Sequence, residues 1–279
     1  EDQTAAQMVF DGDIRDIDDV YAAFRKATPD AVIHLAYVNG TEFFYSQPYK
    51  VLEVALLGAL NALNLCKHFG VREFHLASSS EAYATPREVP TSEAECLRVP
   101  DVLNPRWSYG GGKIACELLT LNAPFLERAT IFRPHNVYGP SMGNEHVIPQ
   151  LIAKLSTAEC ICPKVQIQGT GEETRAFCFI DDAVDGIMRV IERGEHRGIY
   201  NVGTDTEASI HRLATLIALG MGKQGAVCVP GELQPGSTPR RCPDITKLRA
   251  LGYEPKVSLA DGLNPTIAWY RENPKPPPP

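Results

Sequence analysis

Short apolar runs alternate along this chain with longer stretches in which apolar positions recur at helical spacing, the pattern of strands alternating with helices. A first run at 7–10 leads into Asp11-Gly12-Asp13-Ile14-Arg15-Asp16. Asp16 can cap a helix with apolar positions at Ile17, Val20, Tyr21 and Phe24. Residues 31–36 are apolar throughout apart from His34, as strands buried on both faces of a parallel sheet are. Pro48 opens a long Leu- and Ala-rich helix that runs to Phe69 and stops at Gly70. A strand is predicted at 73–77, a proline-rich loop at 84–107, a helix at 108–121 and a strand at 129–133.

Beyond Pro140 the rhythm changes. Residues 145–157 predict a helix, 165–167 and 176–180 extended chain, and Asp181-Asp182 the acidic first turn of an amphipathic helix. Residues 199–202 predict a strand, and the remainder reads as mixed and loop-rich. The fold class expected is α/β, a Rossmann-type doubly wound parallel sheet with a smaller C-terminal substrate-binding lobe. Residues 1–140 with about 175–203 would form the dinucleotide-binding domain. Residues 141–174 with 204–270 would form the lobe, and 271–279 a proline-rich, extended tail.

A dinucleotide site ordinarily carries Gly-x-Gly-x-x-Gly between its first strand and helix. Nothing before Gln7 can hold that unit, and no strand leads into Gly110-Gly111-Gly112. The pattern starts in mid-sheet, so the expectation is a chain lacking its amino-terminal part, the alternative being a cofactor-poor relative.

The 279 residues are 44% apolar with a formal net charge of −7, enough for a sizeable core and without the basic stripe of a nucleic-acid binder. A small-molecule partner is expected. No stretch reads as a membrane span and no signal peptide is visible, so no membrane partner is expected. Eight scattered cysteines show no Cys-x-x-Cys and no metal-ligand spacing, which points to reduced thiols, no metal and a cytoplasmic protein.

The candidate chemistry lies in two segments. Ser78-Ser79-Ser80-Glu81-Ala82-Tyr83 follows the predicted strand at 73–77, at the strand end where open α/β sheets bind ligands. Tyr109-Gly110-Gly111-Gly112-Lys113 opens a helix and places Tyr109 and Lys113 one turn apart on one face. A phenol titrates near pH ~10, and a neighbouring ammonium favours phenolate, moving the tyrosine toward proton transfer near neutrality. Such a pair is also a common surface pair. Ser78 reads as a structural turn residue, Glu81 equally as a solvated carboxylate or an acid–base group, and His34 as a core histidine. Asn136 and Asp13 could simply be turn residues, and Arg175 could pair with Glu172 and Glu173.

The ordered set of segments resembles the extended short-chain dehydrogenase/reductase family, in its NAD-dependent nucleotide-sugar epimerase/dehydratase branch. It runs from Gly12-Asp13-Ile14-Arg15-Asp16 through His34-Leu35-Ala36, the serine cluster, Tyr109-x-x-x-Lys113 and Arg133-Pro134-His135-Asn136-Val137-Tyr138-Gly139-Pro140. It continues through Gly169-Thr170-Gly171, Arg175 and Tyr200-Asn201-Val202-Gly203 to Pro243-Asp244. The resemblance implies that Ser79 hydrogen-bonds the sugar oxygen, Tyr109 is the base, and Lys113 binds the cofactor ribose and lowers the tyrosine pKa. Ser80 and Glu81 fall where dehydratases carry Asp-Glu and decarboxylases Ser-Glu. Asp13, Ile14, Leu35, Ala36 and Pro134 would join Tyr109 and Lys113 around NAD. Asn136, His146, Arg175 and Arg241 would join Ser79 around a nucleotide-diphosphate sugar.

Ala55, Ala84 and Ser80 depart from the family pattern where Asn, Gly and the dehydratase Asp are usual. The function expected is an NAD-dependent nucleotide-sugar epimerase working through a transient 4-keto sugar, and a homodimer through the helices at 48–69 and 108–121. The alternatives are a UDP-glucuronate-type decarboxylase, a 4,6-dehydratase, or a non-catalytic nucleotide-sugar binder.

Overall fold

The computed structural model describes residues 9–160, 162–232 and 236–274. The start of the first apolar run and the prolines from 275 onward lie outside the described residues. Val9 and Phe10 are irregular. In chain order the elements are α1 (Ile17–Ala27), β1 (Ala31–His34), α2 (Thr41–Ser46), α3 (Pro48–Phe69), β2 (Glu73–Ala77), α4 (Ser108–Leu121) and β3 (Arg128–Pro134). There follow β4 (Val137–Tyr138), α5 (Val147–Ser156), β5 (Lys164–Gln166), β6 (Thr174–Ala176), β7 (Cys178–Phe179), α6 (Ile180–Arg193) and β8 (Gly198–Val202). The last are β9 (Glu207–Ser209), α7 (Ile210–Gly220), β10 (Val227–Val229), β11 (Arg240–Arg241), α8 (Thr246–Arg249) and α9 (Leu259–Glu272).

The central sheet is parallel throughout, in the order β1-β2-β3-β8. One face is covered by α1, α3 and α4, where Phe24, Leu63, Cys66, Phe74 and Ile131 share a core. On the other, Phe132, Val190, Tyr200, Leu248 and Tyr253 pack beneath α6 and α8. The α/β, doubly wound expectation holds. A third core joins α5, α7 and α9 through Ile148, Leu155, Leu213, Ile217, Leu263 and Ile267.

The Asp16 cap forms, accepting from the Asp18 amide, and α3 ends at Gly70 in the left-handed conformation. Three expectations are corrected. The first strand is not buried on both faces: β1 pairs only with β2 among the described residues, and Ile33 is 45% exposed. The region after 204 is not loop-rich, since α7 and α9 build much of the third core. Pro265 within α9 masks its period in sequence, whereas the Ser258 cap, accepting from the Asp261 amide, is a legible start signal. Finally, α3 is long and apolar enough by length and composition to cross a membrane, but over half of it is buried within the fold, as in a core helix.

Candidate active site

At the carboxyl end of β2 the chain turns sharply. Ser79 caps a single 3-10 turn, Ser80–Tyr83, its hydroxyl accepting from the Glu81 amide at 3.2 Å. Ala84 leaves this turn at φ 52°, a conformation that favours glycine. A second 3-10 turn, Pro105–Trp107, leads directly into α4 and is capped by Asn104.

Helix α4 lies unusually close to both the serine turn and Tyr37, just beyond β1. A Cβ at Gly110 would stand 2.7 Å from the Glu81 carbonyl oxygen, and one at Gly112 2.3 Å from the Tyr37 hydroxyl. Gly110 and Gly112 therefore serve close approach, which brings Tyr109 against Ser79 and Lys113 against the end of β2.

Tyr109 is buried, stacked on Phe44 with centroids 4.6 Å apart and edge-on to Tyr37 at 5.0 Å. Burial pushes its phenol well above the ordinary value, while the Ser79 hydroxyl and the Arg106 charge oppose that push. Lys113 Nζ donates to the Ala77 carbonyl at 2.7 Å and sits 3.6 Å over the Tyr37 ring. Burial pushes this lysine down to about 7. The expectation that Lys113 lowers the Tyr109 pKa is thus not met: its ammonium is aimed at Ala77 and has itself lost much of its preference for charge.

Glu81 is neither a solvated carboxylate nor a poised acid. It accepts from Arg106 Nη2 and Arg241 Nη1, each at 2.6 Å. Burial pushes its pKa up, but the charges of Arg241 and Arg106 overcome that and hold it down to about 2.

These groups face one cleft of about 400 Å³ at the carboxyl ends of β1, β2 and β3. Its walls include Ser79, Ser80, Glu81, Tyr109 and Lys113, with Leu35, Pro134, Asn136, His146 and Arg241 also lining it. Asn136 takes a left-handed φ of 42°, and its amide donates to the Ala176 carbonyl, so it is both a turn residue and a wall of the cleft. Burial pushes His146 down. His34 is buried, as a core histidine should be.

Four expected site residues are not among those lining the cleft. Asp13 is an exposed carboxylate tied to Arg15, and Ile14 packs on Gly58 of α3. Ala36 lies just past the end of β1. Arg175 donates to the carbonyls of Thr174 and Thr238, both at 2.7 Å, rather than to Glu172 or Glu173. It borders a smaller adjoining hollow beside Gln150 and Lys154.

Residues 1–203 match the NAD dependent epimerase/dehydratase family. The chain belongs to that family. It is 32% identical over 251 residues to UDP-glucuronic acid decarboxylase 2 of Arabidopsis thaliana, a match covering 87% of this chain and 54% of that protein. It is 30% identical over 275 residues to dTDP-4-dehydro-6-deoxy-D-allose reductase of Streptomyces bikiniensis, covering 94% and 81%. The chain spans about half the length of the decarboxylases it matches. Among solved structures, UDP-glucose 4-epimerase of Thermotoga maritima with UDP-glucose superposes with a TM-score of 0.84 at 25% identity, over 98% of this chain and 90% of that one. A dTDP-glucose 4,6-dehydratase double mutant of Streptomyces venezuelae with NAD bound gives 0.82 at 26%, over 94% and 79%.

The family's cofactor is NAD, as expected from the sequence, and the residues present fit its nicotinamide end. Leu35, 61% exposed, together with Ala77 and Pro134, offers apolar surface at the strand ends. Lys113 has three N–H donors, of which Ala77 takes one. One residue at the site escaped sequence reasoning: Tyr37, which covers Lys113. Arg106, which shares Glu81 with Arg241, lies in the Asn104-Pro105-Arg106-Trp107 segment just before Tyr109 that favours the decarboxylase alternative. Tyr37 directly follows His34-Leu35-Ala36 at a predicted strand end, and that position is the signal that could have found it.

Proposed function

We propose that this protein is an NAD-dependent nucleotide-sugar epimerase that opens its reaction by oxidising the sugar at C4. The observation that carries this reading is the Ser79–Tyr109 hydroxyl pair on the wall of the strand-end cleft. Bound NAD supplies the acceptor and donor of hydride. Ser79 orients the sugar hydroxyl, and Tyr109 takes its proton and later returns it; this requires the phenolate, which burial opposes and the positive charge of a bound nicotinamide ring would favour. Asn136, His146 and Arg241 provide polar walls for the diphosphate and sugar, and the apolar ring stack of Phe44 and Tyr37 excludes water from Tyr109. Dehydration is disfavoured, because Ser80 cannot protonate a leaving hydroxyl and Glu81 is held ionised. The similarity to UDP-glucose 4-epimerase supports the reading.

A second reading, decarboxylation of an acidic sugar, is favoured by Arg241. Two guanidiniums share the single carboxylate of Glu81, leaving a positive excess at a residue that lines the cleft. The similarity to UDP-glucuronic acid decarboxylases points the same way.

Incubation with a panel of nucleotide sugars and NAD, followed by mass spectrometry and NMR, tests both. An isomerised product of unchanged mass supports the epimerase, and loss of carbon dioxide or of water selects the other branches. Binding without turnover would leave a non-catalytic sugar-nucleotide binder.

A further inference from the structure

Beneath the serine turn lies a buried ion pair that the chemistry above does not use. Arg133 on β3 donates to Glu117 on α4 through Nε at 2.9 Å and Nη2 at 2.6 Å, a two-pronged contact with both side chains nearly inaccessible. Glu117 also accepts from the Ser78 hydroxyl. The remaining prong, Arg133 Nη1, donates at 2.8 Å to the Tyr83 hydroxyl. That hydroxyl in turn donates at 2.8 Å to Asn201 Oδ1 on β8. Asn201 is itself anchored through Nδ2 to the carbonyls of Thr91 and Asp244.

Ser78 and Tyr83 are the two residues that bracket Ser79, Ser80 and Glu81. Glu117 stands two helical turns beyond Tyr109, on the face of α4 that also carries Lys113. The network therefore ties both ends of the serine turn to the helix that carries the tyrosine. A buried ion pair is often no more stabilising than apolar residues of the same volume, so stability alone gives little reason for placing one here.

We propose that Glu117 and Arg133, acting through Ser78 and Tyr83, are positioning residues that hold the Ser79–Glu81 turn in register with Tyr109. The proposal rests on the roles given above to Ser79 and Tyr109. Neither Glu117 nor Arg133 is among the residues lining the cleft. The pair sets the distance between two hydroxyls whose misplacement by an ångström can cost about a hundredfold in rate.

Removing Glu117 or Arg133 outright risks unfolding, because the partner would be left as an unpaired buried charge. The mild variants Tyr83→Phe and Ser78→Ala each cut one grip and keep the packing. For each, kcat per folded molecule, KM, Tm and amide hydrogen exchange across residues 79–84 should be measured in the full chain. The expected result is a fall in kcat of about tenfold, KM within about twofold, and local exchange accelerated at 79–84 but not in α5, α7 or α9. The double variant should fall by less than the product of the single effects, since both act on one turn. A lower Tm with unchanged kcat per folded molecule and unchanged local exchange overturns the proposal. So does a fall in kcat without faster local exchange. If the unmodified protein turns over no nucleotide sugar, the reading of its function fails separately, and exchange at 79–84 alone decides the grip.

Discussion

Arg241 Nη1 donates to Glu81 Oε1 at 2.6 Å, joining β11 to the turn after β2 across 160 positions of chain. With Arg106 on the opposite oxygen, it makes Glu81 the carboxylate on which two guanidiniums converge. This contact ties the C-terminal part of the chain to the wall of the strand-end cleft.

Glu81→Gln should therefore act first on stability. It leaves two largely buried guanidiniums without a countercharge, a loss of about 3–5 kcal/mol. The Glu81 pKa of about 2 lies below its ordinary 4.5. Its contribution is complete above the ordinary value and disappears as pH falls from about 4.5 to about 2. The Tm gap between the two proteins should thus be wide at pH 7 and close through that acid window. A gap that stays constant with pH would show that Glu81 does not carry the charge assigned to it. Under the proposed epimerase reading, turnover should fall only modestly once folding is allowed for. A loss of about a thousandfold, within the range of lost acid–base help, would favour the decarboxylase reading.

Lys113→Met should show the opposite pH trend. The lysine's folded pKa of about 7 lies below its ordinary 10.5, because burial disfavours the ammonium. That cost is complete below pH 7 and is relieved as pH rises from about 7 toward 10.5. Without its cofactor, the methionine variant should be more stable than the parent at pH 6 by about 1–3 kcal/mol. The lost bond to Ala77 offsets part of the gain, and the advantage should shrink by pH 9.5. Urea titrations at both pH values check this. Binding of NAD should weaken in the same variant.

Tyr109→Phe should abolish turnover, by a factor of about 10²–10⁴ or more, while Tm and nucleotide-sugar binding stay close to those of the parent. The ring keeps its stacking on Phe44 and Tyr37 and loses only the hydroxyl. Near-normal kcat in this variant would remove Tyr109 from the mechanism.

The protein should be a dimer at micromolar concentration through the outer faces of α3 and α4, where Leu57, Leu60 and Leu118 are left exposed at 41%, 39% and 60%. Helices with apolar residues on both sides have a second surface to cover. Leu118→Glu with Leu60→Glu should yield a folded monomer in light scattering. A parent protein that is already monomeric would count against this interface.

The period of apolar residues was enough to read β2, β3, β8, α3 and α4 almost to their ends and the starts of α1 and α6, because local spacing, caps and glycine stops are written in consecutive residues. The Ser79–Tyr109–Lys113 wall was legible for the same reason: its members lie at a strand end and on one helical face. Other features depended on which distant segments meet. The sequence could not show that β1 pairs only with β2 among the described residues, since its apolar run reads like an interior strand. It could not show that Lys113 donates to the Ala77 carbonyl and sits closer to the Tyr37 ring, at 3.6 Å, than to the Tyr109 ring, at 5.6 Å. Nor could it show Glu81 between Arg106 and Arg241, or Arg175 tied to the Thr238 carbonyl beyond the cleft lining. Residue type and spacing determined which groups could do chemistry. The charge each carries was decided by burial and by partners up to 160 positions away, because the energy of a charge depends on the water it loses and the countercharges it meets, and both are set only when the chain has packed.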